Sequence, residues 1–295
     1  MKTGSHSHRY IAAALVGLGP FLPAAAQETG DAAPAPDQIA FGYRTDAPPF
    51  SGLQGGRLNG YSVDLCVEVV EHLVDVYDTD RVDADLVEAT AGTRFDLLTS
   101  GEIDILCGAT SVTLERRYFM GFSIPIFIDG VAFAVAGSAG PDIAALTAQS
   151  LPIADLATSD ALAGQTIGVL ENTTTETFLD EAILAQTTDI QIDVFDTHLA
   201  AIEALSSGAI AAYFASHGIL RGLGAGGAPI VVSPTALTYE PIALGLSRDD
   251  PDLALLVDEA LSQLYLSGDI IPIYERHFGP MSGETRLFFA RTALR

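Results

Sequence analysis

Only one lysine, Lys2, stands in the 295 residues, and Lys and Arg together number 14 against 38 Asp and Glu. The formal charge is −24. A chain so poor in cations repels phosphate backbones and anionic headgroups, which argues against nucleic-acid and membrane-surface roles. Cysteine is equally scarce. Cys66 and Cys107 are the only two, with no CxxC, no HExxH and no histidine pair beside either, so neither a metal site nor a thiol nucleophile is indicated. Gly-x-Ser-x-Gly, Walker and phosphate-binding glycine-rich motifs are also missing, so nothing demands catalysis, a metal or a cofactor. Past the first 26 residues no apolar run suits a membrane span; the stretch 122–136 is broken by Ser123, Pro125, Asp129 and Gly130. What the chain does have is material for a core. Its residues are 48% hydrophobic, with 14 Phe and 9 Tyr, which excludes disorder, and its length suits one large domain or two medium ones.

Residues 1–26 read as a secretory leader. Lys2 and Arg9 precede an apolar segment from Tyr10 to Pro23, and Ala24-Ala25-Ala26 forms a small-residue cleavage site before Gln27. Cleavage there removes two cations, takes the formal charge from −24 to −26, and leaves arginine as the only fixed cation. Residues 27–37 form a small, polar, Pro-containing lead-in expected to be flexible. An exported chain meets an oxidising compartment, where Cys66 and Cys107 could form a disulfide. Two small buried thiols, one on a helix stripe and one in an apolar strand, are the alternative, and the Cα separation decides between them.

From Gln38 short strands alternate with helices. Ile39, Phe41 and Tyr43 alternate with smaller or polar residues up to a turn at Asp46-Ala47-Pro48-Pro49. Leu65, Val69, Val70, Leu73 and Val76 then recur at helical spacing, opposite Asp64, Glu68, Glu71 and Asp75. Strands are expected at 82–86, 103–107, 166–170, 190–195, 210–214, 230–232 and 242–247; helices at 94–100, 174–184, 199–206, 253–266 and 270–277. The stretch 97–106 resembles 204–213: each is a helix end, a Ser-Gly stop and a buried strand. One copy in each half predicts an α/β protein of two lobes, each with an open, largely parallel sheet, and a ligand between them at the carboxyl ends of the strands.

In a mature chain without lysine the arginine positions are informative. Arg44 closes the first strand, Arg94 opens a helix after Thr90-Ala91-Gly92-Thr93, and Arg116 follows the loop 108–115. All three fall where such a sheet places its ligand, and guanidinium forks bind carboxylates bidentately. Arg57, Arg81, Arg117, Arg248 and Arg276 read as surface residues. In the second half Asn172-Thr173-Thr174-Thr175-Glu176 caps a helix start with hydroxyls and free N–H groups, an anion-binding device. His198 opens the next helix; taken alone it reads as a surface histidine.

Three stretches together resemble a known family: Gly42 to Phe50, Gly60 to Cys66, and Arg94 to Phe127 with its Ser100-Gly101-Glu102-Ile103-Asp104, Cys107-Gly108-Ala109-Thr110 and Glu115-Arg116. They are similar to the periplasmic solute-binding proteins of polar amino-acid ABC transporters, family 3, in the glutamate/aspartate branch. The likeness covers roughly 38–279. It implies a type II periplasmic-binding fold whose two open mixed or parallel sheets are joined by a two-strand hinge near 128–133 and 235–241. Lobe I would take 38–129 plus 240–280, lobe II 130–239, with 281–295 as a C-terminal tail. It also implies roles. Arg116 would grip the solute's α-carboxylate with help from Gly108, Ala109 and Ser111; Arg44 and Arg94 would meet the side-chain carboxylate. Thr173, Thr174, Thr175 and His198 would close on it from the second lobe. The expected partners are a small acidic solute and an ABC permease, with the protein a periplasmic monomer free of nucleic acid and membrane insertion.

The chain departs from the family at Ser216, where an aspartate usually holds the solute's ammonium. A buried ammonium without an anion would cost several kcal/mol. Either another carboxylate serves, Asp46 being one, or the solute is an organic acid without an ammonium group. The branch's usual cysteine partner near 242–247 is also missing, leaving Cys66 for Cys107. A cyclohexadienyl-dehydratase-like enzyme on the same scaffold, and a sensory binding protein, are the further alternatives.

Overall fold

The computed structural model describes residues 38–295 apart from 149, 151, 153–154, 157 and 185–188. The leader at 1–26 and the lead-in at 27–37 lie outside the described residues.

Two sheets organise the chain. The first contains β1 (Gln38–Tyr43), β5 (Asp83–Glu88), β6 (Ile105–Ser111), β7 (Gly121–Phe122), β8 (Phe127–Asp129) and β14 (Glu240–Leu246), in the order β5-β1-β6-β14-β7 with β8 also on β14. The second contains β9 (Val131–Ala136), β10 (Thr166–Leu170), β11 (Gln191–Phe195), β12 (Ala212–Ser216) and β13 (Ile230–Val232), in the order β11-β10-β12-β9-β13. Each is mixed in the same way. Three parallel strands (β5-β1-β6; β11-β10-β12) are followed by one antiparallel strand, β14 or β9. That strand arrives straight after the chain has crossed from the other sheet, so the polypeptide passes between the lobes twice.

The helices bury one stripe each. In α1 (Tyr61–Val76) that stripe is Leu65, Cys66, Val69 and Leu73, and the acidic residues face outward. Leu98, Ile103, Leu106 and Met120 cover the opposite face of the first sheet, with Leu98 supplied by α2 (Arg94–Ser100). The second sheet is likewise covered on both faces, α4 (Pro141–Ala145) packing its Ile143 on one of them, as parallel strands require. No helix among the described residues is long and apolar enough to cross a membrane.

Two features differ from expectation and one open alternative is settled. The turn at 46–49 belongs to a small antiparallel sheet of β2 (Asp46–Ala47), β3 (Ser51–Gln54) and β4 (Arg57–Asn59), whose strands are too short to show alternation. Residues 281–295, read as a tail, carry a helix, Gly283–Thr292. Its Phe289 is buried 4.8 Å from the Tyr265 ring of the Pro251–Ser267 helix, and Ser262 Oγ accepts from Leu294 N at 3.0 Å. Cys66 and Cys107 form a disulfide with a Cα separation of 6.2 Å, pinning α1 to β6.

Candidate functional site

Where β1, β6, β10 and β12 end, their connecting loops face one another across a narrow cavity of about 50 Å³. All eleven residues named from the sequence, Arg44, Arg94, Gly108, Ala109, Ser111, Arg116, Thr173, Thr174, Thr175, His198 and Ser216, line it.

The arginines are buried, at 7% exposure for Arg44, 6% for Arg94 and 9% for Arg116. Each is held by local structure. Arg44 sits just past β1, where its backbone N–H donates to Ser51 Oγ at 2.9 Å; its Nε and Nη2 donate to Asp46 Oδ1 at 2.9 and 2.7 Å. Arg94 opens α2 behind a loop in which the Thr90 and Thr93 hydroxyls accept from each other's backbone N–H. Its Nη1 donates to Ala91 O and its Nη2 to Asn172 O at 2.5 Å. Arg116 lies in the short α3 (Leu114–Arg117), capped by Thr113; its Nη1 donates to Ser111 O at 2.9 Å and its Nη2 reaches Asn172 O at 3.5 Å. Both Arg94 and Arg116 also face one aromatic ring, with Cζ 4.1 and 4.9 Å from the Phe95 centroid.

Burial dominates the electrostatics. Desolvation pushes Arg94 well below its ordinary pKa, with Arg116 and Arg44 adding repulsion. Desolvation also lowers Arg116, to about 10, against the pull of Glu240 and Glu115. With its pKa near 10, Arg116 stays charged at neutral pH, and Arg94 is crowded beside it.

The second lobe supplies the opposite wall. Asn172 adopts a left-handed φ of 55°, which turns its carbonyl toward both guanidiniums. Thr173 then caps α5 (Thr174–Leu184) by accepting from Glu176 N, while Glu176 Oε2 accepts from Asn172 N at 2.7 Å. Thr174 Oγ1 lies 3.4 Å from Ser111 Oγ and donates to Glu240 Oε2 at 2.8 Å. His198 heads α6 (His198–Ser207), capped by Thr197, and its backbone N–H donates to Asp46 Oδ2 at 3.3 Å. Its side chain is not at the surface, as an isolated histidine at a helix start suggests, but 2% exposed and pointed inward. These bonds join the two lobes directly around the cavity.

Sequence reasoning passed over several residues. Glu240 lines the cavity and Asp129 sits beside it; both fall in stretches read only as hinge. Ser216 ends β12 and caps α7 (His217–Ala225), and its hydroxyl donates to Asp129 Oδ2. Asp129 also accepts from Gly218 N at 3.1 and 3.2 Å, and burial raises its pKa. A carboxylate thus stands behind Ser216, the position where the resemblance leads to the expectation of an aspartate. Asp46, the other carboxylate considered, is committed to Arg44. Phe95 and Tyr213 carry no local signal, because their roles depend on which side chains face them across the fold; Asn172 reads in the sequence as part of a helix start, and the structure adds that its carbonyl accepts from Arg94 and Arg116. Among the described residues no cluster of His, Cys, Asp and Glu could hold a metal.

The family model for bacterial extracellular solute-binding proteins, family 3, matches residues 39–280. The chain belongs to this family. Among family 3 relatives, the L-glutamate/L-aspartate-binding protein of Pseudomonas aeruginosa is 27% identical over 245 residues, covering 81% of this chain and 76% of that one. The glutamate/aspartate import solute-binding protein of Escherichia coli is 27% identical over 273 residues, 87% of this chain and 85% of that one. An ancestral arginine-binding protein bound to arginine superposes with a TM-score of 0.69 at 21% identity, over 83% of this chain and 100% of that one. The ancestral amino-acid-binding protein described as a precursor of cyclohexadienyl dehydratase gives 0.67 at 23% identity, over 82% and 95%. At these identities the structural likenesses speak for the shared two-lobed family 3 fold.

Proposed function

We propose that this family 3 protein binds a dicarboxylic amino acid, glutamate or aspartate, by lobe closure and presents it to an ABC-transporter permease, acting as an exported monomer. The observation that carries this reading is the convergence of three buried guanidiniums on one cavity. Arg94 and Arg116 share the Asn172 carbonyl and keep further N–H donors free for carboxylate oxygens. Asp46, Glu240 and, behind Ser216, Asp129 stand around the cavity as counter-charges to the three arginines. The relatives named for glutamate and aspartate support the same choice. The Thr173–Thr175 helix start adds neutral donors, and solute binding shifts the open–closed equilibrium by its preference for the closed form.

Ser216 favours one other reading. Its hydroxyl is donated to Asp129, so an ammonium group in the cavity would meet a serine oxygen with the carboxylate behind it. A solute without an ammonium, such as succinate, needs no anion there. Isothermal titration separates the two. Glutamate and aspartate are expected to bind at least tenfold more tightly than glutamine, succinate or arginine. Tightest binding of succinate would replace the amino acid by an organic acid, and tightest binding of arginine would refute the carboxylate assignment. No turnover of prephenate is expected.

A further inference from the structure

His198 lines the cavity with one ring nitrogen committed and the other unpaired. Nδ1 lies 2.7 Å from the Tyr213 hydroxyl, whereas Nε2 is buried without a hydrogen-bond partner. Tyr213 is fully buried on β12, behind the histidine, with its ring edge-on at 6.0 Å. A buried hydroxyl that fails to donate costs about 1–3 kcal/mol. Nδ1 is the one acceptor that bonds the Tyr213 hydroxyl among the described residues. The phenol therefore donates, and the imidazole accepts. A neutral imidazole carries a single N–H, so acceptance at Nδ1 places that proton on Nε2, the buried nitrogen that has no partner.

We propose that Tyr213 is a positioning residue for solute recognition, fixing His198 as the Nε2–H tautomer so that the ring offers a neutral donor to an oxygen of the bound solute. The inference rests on the reading of this cavity as an acidic-solute site and says how its second lobe recognises a carboxylate oxygen. The opposite tautomer would aim a lone pair at that oxygen and repel it. An imidazolium would add a cation to a cluster already holding three. The groups facing the ring are Arg44 and Asp46 from the first strand and its loop, Arg94 from the start of α2, and Tyr213 from β12. Burial and Arg44 lower its pKa to about 3, Arg94 adding to them and Asp46 opposing, so the ring is neutral throughout the physiological range.

Long-range proton–nitrogen NMR on the full mature chain with labelled histidine reads the tautomer directly, with or without solute. The expected result is the Nε2–H form at pH 5 to 8 in the unliganded protein, and a shift toward Nδ1–H in Tyr213→Phe. Titration with glutamate should show the variant binding about 3- to 10-fold more weakly, the worth of one hydrogen bond. A wild-type Nδ1–H tautomer, an imidazolium at pH 7, or a shifted tautomer with unchanged affinity would overturn the proposal. Should the variant fail to fold, the wild-type spectrum decides alone. An Nε2–H spectrum in a protein that binds no acidic amino acid supports the tautomer assignment and refutes the solute instead.

Discussion

At the scale of the residue, the cavity holds like charges together in a buried place, and a few neighbours make that tolerable. Phe95 presents its ring to two guanidiniums, each such contact being worth about 0.5–2 kcal/mol. Phe95→Leu keeps the apolar bulk and removes the ring's negative face. Its glutamate affinity is expected to fall about 3- to 30-fold, measured by titration calorimetry, and its stability to fall by about 1–4 kcal/mol, measured by urea unfolding. His198 governs a pH effect. The folded protein holds it neutral down to about pH 3, whereas the unfolded chain takes up a proton near its ordinary 6.5. The unfolded state therefore binds more protons between those values, and stability drops as pH falls through that window. Asp46 acts in the same sense at lower pH: burial would raise it, but Arg44 and His198 hold it below its ordinary value. Urea unfolding at pH 7 and 4.5 should show His198→Asn losing about 2–3 kcal/mol less than wild type on acidification.

At the scale of the element, the internal repeat has a packing cause. α2 and α6 both end at a glycine with φ of 78°, Gly101 and Gly208, where a left-handed residue stops the helix. Two residues on, Ile103 and Ile210 are buried against Gly42 of β1 and Gly168 of β10. A Cβ at either glycine would overlap the isoleucine side chain, so each lobe keys a helix stop into the middle strand of its parallel trio in the same way. Gly42→Ala and Gly168→Ala are each expected to cost about 1–3 kcal/mol, read from urea unfolding. The disulfide acts on another scale, closing a loop of 41 residues between α1 and β6. Loop-closure entropy puts its contribution at about 4 kcal/mol, so Cys66→Ala with Cys107→Ala should lower the unfolding free energy by a comparable amount, read from urea unfolding, with a larger m-value because the freed unfolded chain exposes more surface.

At the scale of the molecule, two lobes communicate through a crossing with almost no spare room. The chain leaves the first sheet at Asp129 and enters the second at Val131; it returns between Val232 and Glu240. Val131 N donates to Thr238 Oγ1 at 2.8 Å, Leu237 N donates to Val131 O at 2.6 Å, and a Cβ on Gly130 would strike the Thr238 carbonyl. Backbone cannot give way as a side-chain tip can. Gly130→Ala should therefore separate the crossing strands and bias the lobes toward the open form. Small-angle scattering should show a larger radius of gyration that glutamate contracts incompletely, with affinity reduced at least tenfold. A variant that compacts like the wild type would remove the crossing from the closure mechanism.

The sequence by itself determined what depends on neighbours a few residues away. Alternation and helical spacing placed the βα units, the repeat announced two similar lobes, and strand ends located the arginines. The scarcity of cations made those arginines conspicuous. Only the tertiary structure decided which groups meet across long separations: Asp46 with His198, 152 residues apart; Ser216 with Asp129, 87 apart; Thr174 with Glu240, 66 apart. It also buried a histidine that a helix start leaves ambiguous, and docked the Gly283–Thr292 helix, whose one buried aromatic, Phe289, shows no periodic stripe. The physical reason is range: backbone preference and amphipathic period act within a turn or a strand. Burial, desolvation and the pairing of polar groups are set by whatever the completed fold brings alongside.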